Sequence, residues 1–254
     1  MIVMQYAKQG SLRKLLDRKF YQLTWMNKIE NLLYIAEGLH AIHKDGFVHK
    51  DLHSGNIVNE DITSSYITDF GLCRPVSQDS SSGDLYGILP YIAPEVLKEV
   101  NKRYSAKSDI YSYGIIMSEI FNGYPPYHNI PHDIILASEI FSGRRPNIGR
   151  SVPKLLLDLM NKCLVDEPHE RPDAKYLIDK LKLYRQDLTH KSELHKQVEG
   201  VKNIDYNKHE LSYKTHEQAI FTSEFQKSFK LVNTSNKDFT EGSDGMILML
   251  HRQI

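Results

Sequence analysis

The sequence predicts a mainly α fold of the α+β class, followed by a polar C-terminal tail. Three observations carry that expectation. Apolar residues recur at the helical period through 24–46 and again in four stretches between 108 and 184. Between those blocks, 47–75 holds only short apolar pieces (Phe47-Val48, Ile57-Val58, Tyr66-Ile67) separated by polar turns, the pattern of small strands that carry loops. From about Arg185 large apolar residues become sparse and charges of both signs alternate.

Taken in order, residues 1–6 read as a short strand. Gly10-Ser11 then supplies a break and an N-cap, and Leu12, Leu15 and Leu16 follow at helical spacing. Thr24 caps a second helix, in which Trp25, Ile29, Leu32, Leu33, Ala36, Leu39 and Ile42 keep the 3.6 period until Asp45-Gly46. The Ser/Asp/Gly-rich stretch 76–87 reads as a loop. Ser108 is expected to cap a buried helix that reaches Phe121 and is closed by Gly123 and Pro125-Pro126. Pro131, Pro153 and Pro172 open three more, ending near Phe141, Leu164 and Tyr184. In the tail, about 190–200 and 214–231 are helix candidates. The boundary falls near 185, giving units 1–184 and 185–254. With no dense apolar face of its own, the tail is expected to be removable.

Composition narrows the function classes. Of 254 residues, 41% are apolar and 25% charged, which suits a globular chain and excludes wholesale disorder. Lys plus Arg and Asp plus Glu are 32 each, so there is no chain-wide basic footprint for nucleic acid or an anionic membrane. Two cysteines, Cys73 and Cys163, are too few for a disulfide framework or a Cys-rich zinc site and point to a reducing, cytoplasmic setting. No apolar run reaches the length of a membrane span, and the first residues lack the basic start of a signal peptide. His40, His43, His49 and His53 crowd one span, but without further ligands at zinc spacing His49 reads as a packed loop anchor.

The chemistry lies in Val48-His49-Lys50-Asp51-Leu52-His53-Ser54-Gly55-Asn56, then Thr68-Asp69-Phe70-Gly71, then Ala93-Pro94-Glu95. Singly, Asp51 and Asn56 are ordinary turn formers. Together the three stretches follow the H-[RK]-D-L-x-x-x-N, D-F-G and A-P-E order, and residues 1 to about 184 resemble the protein kinase superfamily. Ser108 to Gly114 resembles that family's central buried helix, and Glu167 to Pro172 its late Arg-Pro corner. The resemblance implies a kinase-like C-lobe, with ATP and Mg²⁺ as cofactors and a protein as the phosphate acceptor. It makes Asp51 the carboxylate that accepts or orients the acceptor proton, with Lys50 and His53 beside it in the catalytic loop. Asn56 and Asp69 become the Mg²⁺ ligands, Asp69 also bridging to the nucleotide. Met4 becomes the gatekeeper, Gln5 and Ala7 the hinge positions facing adenine, and Val58 the pocket floor. Glu95 pairs with Arg171, and Asp109 holds the backbone of the catalytic loop.

Several positions depart from the family pattern. The Gly-rich phosphate loop, the V-A-I-K-type lysine and the helix-borne Glu that pairs with it are not found. The chain therefore reads as hinge plus C-lobe, truncated at its N-terminus, with weak or no activity alone. It is either a piece of an ordinary kinase or a silent interaction module with a partner protein on the exposed lobe face. Lys50 replaces the motif Arg, His53 stands where Ser/Thr kinases carry Lys, and Ile88 where they carry Thr. The A-A-R or R-A-A block and the Trp before M-A-P-E of tyrosine kinases are missing. The nearest group is the tyrosine-kinase-like one, with Ser/Thr as acceptor and Tyr left open. Ser77, Ser80, Ser81, Ser82 and Tyr86, between D-F-G and A-P-E, are candidate phosphosites that Lys50 would face.

Overall fold

The computed structural model describes residues 6–75, 85–98, 104–149, 152–201 and 212–226. The expected strand at 1–6 falls almost wholly outside them, with Met4 and Gln5, as do Ser77, Ser80, Ser81 and Ser82.

The chain enters at Tyr6, turns through a Gly10 N–H bond to the Ala7 carbonyl, and forms a short strand β1 (Gly10–Ser11). Ser11 then caps α1 (Leu12–Lys19), whose Leu12, Leu15 and Leu16 are buried. Thr24 and Asn27 close a reciprocal capping box at the start of α2 (Trp25–Lys44). Next come β2 (Phe47–Val48), β3 (Ile57–Asn59), β4 (Ser65–Ile67) and β5 (Arg74–Pro75). β1, β3 and β4 form one antiparallel sheet, with Ser11 opposite Val58 and Ile57 opposite Ile67, and β2 pairs with β5. β6 (Leu85–Gly87) and α3 (Pro94–Lys98) lead to α4 (Ala106–Asn122). The remaining elements are α5 (Ile134–Phe141), α6 (Lys154–Cys163), α7 (Ala174–Thr189), α8 (Glu193–Gly200) and β7 (Glu224–Gln226).

The core lies around α4, which is buried at every position from Ser108 to Phe121 and packs against α2 on one side and α6 on another. α2 also runs along α7, so α2, α4, α6 and α7 form one helical block that carries the small sheets at one end. Tyr113 hydroxyl donates to the Leu32 carbonyl at 2.9 Å, a buried bond that fixes how α4 sits on α2. No helix among the described residues is long and apolar enough to cross a membrane.

Three helix starts differ from the sequence reading. The α4 cap is Ser105, because Ser108 is the third helical residue and returns a hydrogen bond to the cap as the second half of a capping box. Asp133 and Asp173, not the prolines before them, cap α5 and α7. A carboxylate accepts amide hydrogen bonds that a proline ring cannot. α7 also continues past Tyr184 to Thr189, with Lys182 and Arg185 paired to Glu37 and Glu30 on α2. In the tail, α8 matches a helix candidate, whereas 212–226 is not helical. It is irregular with a turn at 217–218 and ends in β7, which pairs antiparallel with β6, Gly87 opposite Glu224. A strand needs a neighbour, and here that neighbour is about 140 residues away in sequence.

Candidate active site

The loop between β2 and β3 is built around Asp109, near the start of α4. Its carboxylate accepts the His49 N–H at 2.8 Å, the Lys50 N–H at 3.1 Å and a contact from His43 Nε2 at 2.9 Å. Lys50 has φ of +70°, a left-handed conformation that disfavours an L side chain and is tolerated where neighbours over-determine it. The His49 and Lys50 N–H bonds to Asp109 before it and the Asp51 N–H bond to His49 after it do so. His49 is fully buried. Its Nδ1 accepts the Asp51 N–H at 3.3 Å, so in the neutral ring the proton sits on Nε2, 3.1 Å from the Thr68 carbonyl. One imidazole thus ties Asp51 itself to the residue before Asp69.

Asp51 is buried and its oxygens are well partnered. Asn56 Nδ2 donates to the Asp51 carbonyl at 2.9 Å and to Oδ2 at 3.2 Å. His53 Nε2 lies 3.7 Å from Oδ2. Ser223 Oγ, from the C-terminal segment, lies 3.0 Å from Oδ1. Burial opposes the charge of this carboxyl. The nearby His53 and the Ser223 hydroxyl outweigh it and hold Asp51 below the usual carboxylate range. With both Nδ2 hydrogens given to Asp51, Asn56 Oδ1 has no hydrogen bond among the described residues. The β3–β4 hairpin brings Asp69 to the same end of the site, since the Thr68 N–H bonds the Asn56 carbonyl at 2.9 Å. Asp69 is exposed at φ +61°, and one of its oxygens accepts the Gly71 N–H. The atoms these bonds leave over, Asn56 Oδ1 and the second Asp69 oxygen, are hard oxygens, which suit Mg²⁺. Among the described residues no group of three or more His, Cys, Asp or Glu could hold a metal by itself.

The other candidates lie around this centre. The Lys50 ammonium sits over the Tyr104 ring, 5.8 Å from its centroid, while the Tyr104 hydroxyl donates to the Tyr86 carbonyl in β6. Through Tyr104, Lys50 is linked to β6, the strand before Ala93-Pro94-Glu95. Val58 is the middle residue of β3 and half-buried. Ala7 is half-buried, with its carbonyl engaged by Gly10. Glu95 and Arg171 form a bidentate pair at 2.7 Å for each bond.

The sequence reading missed Glu119. Its side chain is fully buried in α4, where Oε2 accepts the Ser54 hydroxyl at 2.9 Å and the Arg13 guanidinium at 2.6 Å, and Oε1 accepts the Tyr91 hydroxyl. One carboxylate thus joins α1, the loop after Asp51 and the segment before Ala93. A signal was present: Glu119 is the lone charge in the run Ile115 to Phe121, and a carboxylate there needs partners.

The family model for protein tyrosine and serine/threonine kinases matches residues 1–181. A LIM domain-containing serine/threonine-protein kinase of Dictyostelium discoideum is 33% identical over 188 residues, 74% of this chain and 28% of its own. A serine/threonine/tyrosine-protein kinase of Arabidopsis thaliana is 29% identical over 185 residues, 72% of this chain and 47% of its own. A relative from Acanthamoeba polyphaga mimivirus, named as a serine/threonine-protein kinase/receptor, is 29% identical over 192 residues, 75% of this chain and 12% of its own. The chain thus spans less than half the length of each of these relatives. The family match takes in all three motifs and the helices that hold them, and on it this chain belongs to the protein kinase superfamily.

Proposed function

We propose that the chain carries the catalytic loop of a protein kinase of the tyrosine-kinase-like group, which transfers the γ-phosphoryl of ATP to Ser or Thr hydroxyls of proteins. The observation that carries this reading is the Asp51–Asn56 pair. The amide nitrogen is given to the carboxylate, which leaves Asn56 Oδ1 and the Asp69 carboxylate as hard oxygens at one edge of an ionised, buried aspartate. Asn56 and Asp69 would hold Mg²⁺, which when bound supplies charge neutralisation at the phosphates. Asp51 orients the acceptor hydroxyl and takes its proton as the new O–P bond forms. Asp109 and His49 keep that carboxylate in place through the backbone, and Glu119 holds the far end of the same loop through Ser54. Ser/Thr acceptors fit the departures from the tyrosine-kinase signatures and the names of the relatives.

The test uses the full chain with Mg-ATP and a generic protein substrate, beside Asp51→Asn. Transfer by the chain alone should be weak, because the Gly-rich loop and its lysine partner are not found in it, and should fall by about a hundredfold or more in the variant with an unchanged circular dichroism spectrum. ADP should raise the melting temperature only when Mg²⁺ is present, and Asp69→Asn should remove that rise. No magnesium-dependent shift and no transfer would overturn the proposal and leave a silent interaction module.

A further inference from the structure

The C-terminal segment crosses the candidate active site along one continuous path. The Tyr213 hydroxyl donates to Asp17 on α1 at 2.8 Å, and its ring packs against Tyr124 and His128. The His216 N–H bonds the His128 carbonyl at 2.7 Å, and the His132 N–H bonds the Gln218 carbonyl at 2.9 Å. The Ile220 N–H donates to His132 Nδ1 at 3.1 Å, and the Phe221 ring meets the His132 ring edge-on, 4.8 Å between centroids. Beyond Ser223, β7 adds itself to β6, the strand that leads toward Ala93-Pro94-Glu95. Backbone pairing of an extended segment with a strand edge is a general mode of peptide recognition.

Ser223 is where this path meets the chemistry. His53 Nδ1 accepts the Gly55 N–H at 3.1 Å, so in the neutral ring the proton is on Nε2, 3.0 Å from Ser223 Oγ. That hydroxyl accepts from His53 and donates its own proton to Asp51 Oδ1 at 3.0 Å. The Tyr86 hydroxyl donates to the Ser223 carbonyl at 3.3 Å, which fixes the backbone there. Gly87 faces Asp51: a Cβ there would make an ordinary contact with Oδ1 at 3.5 Å, and it is the φ of +134° that favours glycine. A hydroxyl whose proton already points at the candidate base is poised as a phosphate acceptor.

We propose that residues 212–226 occupy the peptide-substrate groove of their own chain, with Ser223 as the phosphorylation site. This rests on the kinase reading above. In the transfer, Ser223 Oγ forms a bond to the γ-phosphorus of a magnesium-bound nucleoside triphosphate. The bond from that phosphorus to the leaving nucleoside diphosphate breaks, and the hydroxyl proton passes to Asp51. The phosphoserine then holds close to two negative charges against the buried Asp51 carboxylate, and like-charge repulsion expels the segment and opens the groove. His53 Nε2, 3.0 Å from Ser223 Oγ, offers the new phosphate a single N–H, which does not offset the repulsion from Asp51.

The experiment has two arms on the full chain. Without nucleotide, hydrogen exchange is followed at 85–87 and 212–226 in the wild type, Ser223→Ala and Ser223→Asp. The segment should be protected in the wild type and stay within about threefold of that in Ser223→Ala, since the β6–β7 pairing, Tyr213 and His132 contacts remain. Ser223→Asp should exchange at least tenfold faster there and unchanged in α4. With Mg-ATP, mass spectrometry should find phosphate on Ser223 at a rate independent of chain concentration, and none in Asp51→Asn. Wild-type exchange as fast as that of a free peptide, or equal protection in Ser223→Asp, would overturn the proposal. So would phosphate on an added protein substrate with none on Ser223, which would leave the kinase reading standing. Phosphate on neither would sink both.

Discussion

Replacing Glu95 by Gln removes one charge and almost no volume from the clamp that holds the A-P-E segment to the late Arg-Pro corner. Arg171 has no exposed side-chain surface, and its five N–H donors all have acceptors. Nε reaches the Val165 carbonyl at 2.9 Å, Nη1 the Lys107 carbonyl at 3.0 Å and Nη2 the Asp166 carbonyl at 3.0 Å, and the last two nitrogens each also bond Glu95 at 2.7 Å. In the variant one amide oxygen still accepts, but the amide NH₂ faces a guanidinium N–H, donor against donor. The buried cation is left without its counter-charge. Breaking a buried pair in this way costs about 3–5 kcal/mol. Because the Glu95 side chain keeps 18% of its exposure, the lower end, about 3 kcal/mol, is the expected loss. For a unit of this size that is a fall of roughly 10 °C in melting temperature. Urea unfolding followed by far-ultraviolet circular dichroism measures it, together with Arg171→Met and the double variant. The double should be little worse than Arg171→Met alone, since the carboxylate loses most of its role once the cation is gone. A loss under 1 kcal/mol in Glu95→Gln, or single costs that simply add, would refute the reasoning.

Two further outcomes are expected. Lys28, in the first turn of α2, is buried, its ammonium 4.0 Å from the Phe20 ring centroid and 4.8 Å from that of Trp25, and burial pushes its pKa down to about 7. The folded chain releases this proton near pH 7 and the unfolded chain only near 10.5, so the unfolded state binds more protons in between and stability rises with pH across that window. Lys28→Met should therefore be more stable than wild type by an amount that is flat below pH 7 and shrinks toward pH 10.5; an advantage that grows with pH would contradict this. Gly114→Ala should destabilise by about 1–3 kcal/mol, although alanine is ordinarily the better helix former. A Cβ there would lie 2.7 Å from Leu164 Cδ2 and 2.8 Å from Cys163 Cβ, and an unchanged or higher urea midpoint would show that α4 and α6 are not in such close contact.

The parts of the site legible in the sequence are those whose partners lie close along the chain. Asp51 and Asn56 are five residues apart, so loop geometry alone brings them together. Glu95 and Arg171 are far apart, and that pair was readable only through the kinase resemblance. Glu119 shows the limit: its isolation in an apolar run signals that partners exist, but Arg13, Ser54 and Tyr91 come from three other elements that only the packing of α4 assembles. Ser223 gave no local sign, because its meaning depends on Asp51, 172 residues away, and on a strand edge at 85–87. The non-helical form of 212–226 was misread for the same reason. Helical periodicity is a property of one segment, whereas strand pairing belongs to two. The start of α4 was misplaced on a smaller scale, since both serines of the capping box are good caps and the sequence does not say which comes first.

The burial of α4 on every side from Ser108 to Phe121 has a consequence for synthesis. A helix with no outward face cannot rest against water while it waits for its walls. α2 is made before it, but α6 leaves the ribosome only about forty residues after Asn122, and the turn at 168–170 later still. At about 5–20 residues per second, the nascent segment around Ile115, Ile116 and Ile120 stays without its second wall for about 2–8 seconds. That interval is long against chain collapse, so this segment is where a holding chaperone has its best opportunity. A circularly permuted chain that delivers α6 and α7 first would have α4 emerge into walls already standing.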